Sequence, residues 1–316
     1  MGGFLVLSIG QESTAASVRA IMGADDHTIT GVRGIGPALA AGISPSAIMS
    51  ELMGQADGCC HGKGGNFSLF SPVHRHWGCF PIAAAHTPIA LGLSFALKYR
   101  ATGGVVFCFL GDGSINQGVF HETLNLAGLF DIPTVFVIEN NKYAMGSSNR
   151  KASAFTDHLA QRAEAYDIDW DLAKGWEIDE LLSKLTKARN RALQESRPTV
   201  LEIDTYRYHG FSIADANHKK YRTPDEINFH KEHRDSIRNW ADQLITEGIL
   251  TPEAEEQMNQ EAKAEALAAS DFAETSSPPT PADLLDHVYW ETDNQTQASQ
   301  QGRHFFNDEP PLSAQS

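Results

Sequence analysis

The chain has 316 residues, 41% of them hydrophobic, with 40 acidic against 25 basic side chains and a formal net charge of −15. This is enough for a large buried core, as one large domain or a domain with an appendage. The acidic excess argues against a nucleic-acid or anionic-membrane partner, and no apolar run is long enough to cross a bilayer.

In chain order, residues 4–9 are apolar, but they are few and no basic segment precedes them. They do not read as a signal peptide, so the expected compartment is the cytoplasm. Residues 11–22 predict a helix, 27–32 a short strand and 44–53 a second helix. Residues 58–77 are glycine-rich and predict a long loop. His61, His74 and His76 fall there without a common helical or strand register, which disfavours zinc. The four cysteines, Cys59, Cys60, Cys79 and Cys108, have no metal-ligand spacing and do not suggest a disulfide framework. Residues 83–99 are rich in small apolar side chains (Ala84, Ala85, Ala90, Gly92, Ala96) and predict a buried helix packed closely on another.

The run from Val105 to Leu110 is almost wholly apolar and ends in glycine, as buried parallel strands do. A helix is predicted over 114–129. Pro133 ends it, and 134–138 predicts a second buried strand. Residues 179–196 predict an amphipathic helix with Leu181, Leu182, Leu185 and Ala188 inward, and 199–205 a third strand. Residues 206–221 are polar and aromatic and read as an active-site loop. From 224 to about 273 the chain turns helical and charged. A Ser/Pro linker (276–281) and a short helix (282–287) follow. The tail after Glu291 has a disordered composition. The expected division is an α/β domain over 1–223, a helical extension over 224–290 and a tail over 291–316.

Two short motifs carry the chemistry. Gly111-Asp112-Gly113 falls just past one strand, where open α/β sheets bind ligands. Its glycines let the backbone approach a diphosphate, and the next helix offers free N–H groups to an anion. Asn140-Asn141-Lys142-Tyr143 ends the following strand. A carboxylate and an amide oxygen side by side suit Mg²⁺, which takes few protein oxygens and completes six positions with diphosphate and water. Either motif alone is common in turns; both at this spacing on strand–helix–strand are not.

The pair resembles the signature with which thiamine diphosphate enzymes hold Mg²⁺ and the cofactor. Gly10-Gln11-Glu12, Gly62-Lys63-Gly64-Gly65, Tyr143-Ala144-Met145-Gly146, Thr205-Tyr206-Arg207-Tyr208-His209-Gly210 and Tyr221-Arg222-Thr223 extend it. Together they resemble the α subunit of the first, decarboxylating component of 2-oxo acid dehydrogenase complexes, pyruvate or acetoin type. The resemblance implies a three-layer thiamine diphosphate-binding fold, with a mostly parallel central sheet flanked by helices and a helical C-terminal extension. It implies decarboxylation of a small 2-oxo acid with acyl transfer to a lipoyl group. The partners would be a β subunit, in an α2β2 assembly that completes the pocket, and a lipoyl-bearing acyltransferase. Two alternatives stand beside it: a divergent enzyme (acetoin dehydrogenase or carboligase), or a catalytically impaired structural subunit.

The same resemblance assigns roles. Asp112, the Asn141 side chain and the Tyr143 carbonyl would bind Mg²⁺. Gly111, Gly113 and Ser114 would meet the diphosphate, with Arg33 and Arg207 reaching its charge. Arg207 and His209 are the catalytic candidates. Ser212 matches a regulatory serine of some relatives, and Glu122 reads as a subunit-interface residue. Family members carry a further helical segment ahead of the position of Gly2-Gly3-Phe4. The departures concern imidazoles. Phe211 stands where a histidine usually lies over the cofactor, Val32 and Ile35 replace an aromatic residue and a histidine around Arg33, and Pro81 to His86 replaces the usual aminopyrimidine cradle. Phenylalanine cannot transfer a proton, so the metal and diphosphate half is intact while the imidazole half is stripped.

Overall fold

The centre of the sheet is set by two strands, β4 (Val106–Gly111) and β5 (Thr134–Asn140), in which nearly every residue is buried. Their side chains alternate between two cores, as the pleat requires. Val106, Cys108, Leu110, Phe136 and Ile138 face one core, which α4 (Thr87–Arg100) and α5 (Gly118–Phe130) cover through Ala90, Phe120, Leu124 and Ala127. Phe107, Phe109, Val135 and Val137 face the other, covered by α1 (Glu12–Ile21) and α7 (Ile178–Glu195) through Val18, Leu181, Leu185, Ala188 and Ala192. Burying each of these large apolar side chains contributes about 1.5–3 kcal/mol, which explains why both strand faces read as apolar. The result is a three-layer α/β fold. The computed structural model describes residues 4–215 and 218–289, and no described helix is long and apolar enough to cross a membrane.

With β1 (His27–Thr30), β2 (Phe70–Ser71), β3 (His76–Cys79), β8 (Asp169–Lys174) and β9 (Thr199–Asp204), the sheet runs β2-β3-β1-β4-β5-β9-β8. All pairs are parallel except β2 with β3. After β1 the chain first adds β3 on one side, then β4 on the other. The carboxyl ends of β1 and β4 therefore flank a topological switch point, where open α/β sheets leave a crevice.

Several local expectations change. The stretch predicted as one long loop contains β2 and β3. Both strands are short, without an alternating or apolar run, and β3 is identified only by its pairing with β1 and β2. Strand β8 was not foreseen because it is an edge strand, mostly half-buried, with no apolar run. The helix predicted as buried, α4, buries only Thr87, Ala90 and Ser94, while Ile89, Phe95 and Tyr99 are exposed. The helix predicted from residue 114 begins as a 3-10 turn, Ser114–Asn116, before α5. The short helix predicted over 282–287 is a 3-10 turn, Pro281–Leu285.

Beyond β9 the chain forms α8 (Pro224–His233), α9 (Ser236–Thr246) and α10 (Pro252–Thr275). Each starts on a side-chain cap, from Thr223, Asp235 and Thr251 respectively, that satisfies amides the helix cannot. Contacts divide the chain into two compact units, the first ending at Ser276. Of the second, the 3-10 turn is closed by a Thr280–Asp283 capping box. The tail after Glu291 lies outside the described residues.

Candidate active site

The crevice at the switch point holds a cavity of about 340 Å³, lined from β1 by Thr30 to Arg33, from β4 by Phe109 to Ser114, and from β5 and its turn by Glu139, Asn141 and Tyr143 to Met145. Pro81, Ala83, Gln117 and Phe211 close it. Gly111, Asp112, Gly113, Ser114, Asn141 and Tyr143, dispersed over the two motifs, thus meet in one place. They do so because Gly111 pairs with Glu139 across the β4–β5 ladder, which sets Asp112 beside the Asn-Asn turn.

Asp112 is 2% exposed. Its Oδ1 accepts the Gly113 N–H at 3.0 Å, while its Oδ2 is buried with no hydrogen-bond partner among the described residues. Burial raises its pKa from 3.8 to about 6. A desolvated carboxylate with one oxygen unsatisfied costs free energy that a cation would restore. Gly113 earns its place by close approach: a Cβ there would lie 2.3 Å from the Ala144 Cβ.

The two asparagines divide their work. Asn140 is structural: its Nδ2 donates to Glu202 at 2.6 Å, and its Oδ1 accepts from the Lys142 N–H at 3.1 Å and Asn149 Nδ2 at 3.3 Å. Asn141 lines the cavity. Its Nδ2 donates to Gln11 Oε1 at 3.1 Å, and its Oδ1 accepts the Tyr143 N–H at 3.2 Å. Directly after them Lys142 takes a left-handed conformation, φ 72°, and its ammonium pairs with Asp204 at 2.8 Å. That turn aims the chain back over the cavity, and the Tyr143 hydroxyl anchors it by donating to Glu226 at 2.9 Å.

Arg33 lines the cavity, 8% exposed, with one guanidinium nitrogen donating to the Leu7 carbonyl. Burial lowers its pKa to about 10, and nearby Glu139 opposes that shift. Arg207 is 1% exposed. One of its nitrogens donates to the Met145 carbonyl, while Nε and Nη1 have no hydrogen-bond partner among the described residues, with Asp215 4.0 Å from Nη1. The Phe211 ring sits near both guanidinium carbons, 5.9 Å from that of Arg33 and 6.0 Å from that of Arg207. Its backbone N–H donates to Asp215 at 2.8 Å.

The other candidates disperse. His209 is exposed and is not among the residues lining the cavity; its carbonyl accepts from Arg222. Ser212 is buried. His86 lies behind the wall: its Nε2 sits 2.7 Å from the Phe109 carbonyl, its Nδ1 has no partner, and burial lowers its pKa to about 4. His76 sits on β3 against Thr28 and His74 against Ser71. Among the described residues, the metal-ligating side chains that converge are Glu51, Cys59 and Cys60, without a histidine.

Two residues went unassigned in the sequence. Glu139 lines the cavity, and burial raises its pKa to about 7 while Arg33 and the Gln11 side chain hold it down. Gln11, from the other end of the chain, accepts the Asn141 amide at 3.1 Å. The Gly-Gln-Glu motif marked Gln11, but only the fold brings it there. The same motif's Glu12 accepts the Gly10 N–H at 2.9 Å.

Residues 1–282 match the dehydrogenase E1 component family. The pyruvate dehydrogenase E1 component subunit alpha of Zymomonas mobilis is 40% identical over 290 residues, covering 91% of this chain and 80% of the relative. That of Rickettsia bellii is 36% identical over 92% of this chain and 87% of its own. The mitochondrial subunit of Solanum tuberosum is 35% identical over 91% and 72%. With this match along the chain, and a three-layer fold that joins the two motifs at its switch point, the protein belongs to the dehydrogenase E1 component family.

Proposed function

We propose that this chain is the α subunit of a pyruvate-type dehydrogenase component that binds Mg²⁺ and thiamine diphosphate and acts on a small 2-oxo acid. The observation that carries this reading is the buried Oδ2 of Asp112, unpartnered among the described residues, on a residue that lines one cavity with Asn141. Asp112, Asn141 and the Tyr143 carbonyl are the oxygens that would hold the metal, and such a hard donor set suits Mg²⁺. The glycine-lined turn at Gly111 and Gly113, with Ser114, admits the diphosphate, and Arg33 and Arg207 supply positive charge. When bound, thiamine diphosphate supplies the electron sink that lets a 2-oxo acid lose CO₂.

The chain's own residues bind and exclude water. Phe211 presents an apolar ring near two buried guanidinium groups and so adds no titrating group beside them. Arg207 is positioned for electrostatics, not proton transfer. Proton transfer falls to groups supplied by a β subunit, as the chain would work only in an α2β2 assembly, with a lipoyl-bearing acyltransferase taking the acyl group. Its expected place is the cytoplasm. Phe211 also favours a second reading, a divergent acetoin-cleaving or carboligating enzyme.

The test is co-expression with the candidate β subunit, followed by assays of pyruvate decarboxylation, acyl transfer to a lipoyl domain and acetoin cleavage. Pyruvate-dependent lipoyl acylation is expected. Acetoin cleavage without it would favour the second reading, and cofactor binding without any turnover would leave only a structural subunit.

A further inference from the structure

The loop between α3 (Pro45–Met53) and β2 is built around one carboxylate. Glu51 on α3 is fully buried. Its Oε2 accepts the N–H groups of Cys60 at 2.8 Å and Gly62 at 2.9 Å; its Oε1 accepts those of Gly64 at 2.8 Å and Gly65 at 2.9 Å. A Cβ on Gly58 would meet Glu51 Oε2 at 2.4 Å, so the loop closes tightly on it. Two successive thiols sit on this ring. The sulfurs of Cys59 and Cys60 and a Glu51 oxygen all lie within 4.8 Å of one another. With four amides on its oxygens, Glu51 is already satisfied, and a metal ion has no orphaned carboxylate to answer.

The two thiols are not alike. Cys60 Sγ accepts the Phe70 N–H at 3.3 Å. The Cys59 thiol and that amide lower the Cys60 pKa, while the Cys59 thiol is pushed up. Both are half-buried, within reach of a small oxidant, whereas Cys79 and Cys108 are buried with raised pKa values. A thiol of lowered pKa beside a second thiol that can resolve it is the arrangement that oxidises reversibly.

We propose that Cys59 and Cys60 form a reversible disulfide site that reacts with hydroperoxides. The Cys60 thiolate attacks one peroxide oxygen, the O–O bond breaks, and the departing hydroxide takes a proton to become water. Cys60 is then a sulfenic acid. The Cys59 sulfur attacks the Cys60 sulfur, the S–S bond forms, and the sulfenic oxygen leaves as water with the Cys59 proton. Two thiols lose two electrons and two protons, and hydrogen peroxide becomes two waters. Adjacent Cα atoms lie about 3.8 Å apart, less than the usual disulfide separation of about 4.4–6.8 Å. The product is strained and easily reduced, which suits a reversible mark and not a structural bridge. Forming the ring removes the sulfur that accepts from Phe70 and draws Cys60 N–H off Glu51. The loop runs on to Asn66, whose side chain donates to the Val32 carbonyl at 3.4 Å beside Arg33.

The experiment uses the full chain with its β subunit, one equivalent of hydrogen peroxide, thiol blocking and digestion with trypsin. The peptide 34–63 holds Cys59 and Cys60 and no other cysteine. It is expected to lose two hydrogens and to regain them with dithiothreitol, and the intact oxidised chain is expected to show faster hydrogen exchange at Gly62, Gly64 and Gly65. Cys59→Ser is expected to stop at a Cys60 sulfenic acid that dimedone traps. If that variant does not fold, Cys60→Ser should abolish dimedone labelling of this peptide. A peptide that stays reduced at this dose, runs on to sulfinic acid, or cross-links to Cys79 or to another chain overturns the proposal.

Discussion

Asp112→Asn separates binding from stability, because the same buried charge that holds a cation strains the free protein. Burial raises the Asp112 pKa from 3.8 to about 6. The difference of about two pH units corresponds to about 3 kcal/mol of destabilisation when the group is ionised. The folded value lies above the unfolded one. The penalty is therefore absent below about pH 4, grows as the unfolded state ionises, and is complete above about pH 6. Asparagine keeps an oxygen for the Gly113 N–H but puts an amide donor where Oδ2 has no partner, at a cost of about 1–2 kcal/mol. The metal-free variant should thus be more stable than the parent by about 1–2 kcal/mol at pH 7.5, roughly 2–4 °C in Tm, and less stable at pH 4. Its affinity for thiamine diphosphate with Mg²⁺ should fall by about 100-fold or more, since a charged ligand has been lost. Thermal scans of the apoprotein at both pH values, with calorimetry of cofactor binding, read all three numbers. A variant that is destabilised at pH 7.5, or that binds the cofactor as the parent does, would refute the reasoning.

Three further outcomes follow from the same site. Because a proton on Asp112 competes with the metal, Mg²⁺-dependent cofactor affinity should drop about tenfold for each pH unit below about 6; a profile flat to pH 4.5 would contradict this. Gln11→Leu removes the acceptor that orients the Asn141 amide and should weaken Mn²⁺ binding, followed by electron paramagnetic resonance, by about tenfold; unchanged binding would show that Gln11 does not position the ligand. Phe211→His places an imidazole beside Arg33 and Arg207 and should raise 2-oxo acid turnover in the assembled enzyme, and an equal rate in a folded, active complex would count against that placement.

The core strands were legible because β4 and β5 are buried on both faces, so their sequences are apolar runs. The metal-side residues were legible because the chemistry sits at the ends of those strands. Strands β2, β3 and β8 were not, since each is short or at an edge and depends on pairing partners far along the chain. The exposed face of α4 read as buried because small apolar residues look alike whether they meet the chain's own core or lie open. Gln11 and Glu139 carry no local signal of a role; only the fold sets them between Arg33 and Asn141. Histidine chemistry could not be placed by spacing: His209 and His86 are both near the motifs, yet one faces out and the other is locked behind the cavity wall.

The central claim is that Asp112 and Asn141 form an Mg²⁺-dependent seat for thiamine diphosphate on this chain. Calorimetric titration of thiamine diphosphate into the α–β complex, with Mg²⁺ and then with EDTA, tests it most directly. One site per α chain, lost in EDTA and in Asp112→Asn, is the predicted result. No binding, or binding indifferent to both the metal and Asp112, would contradict it.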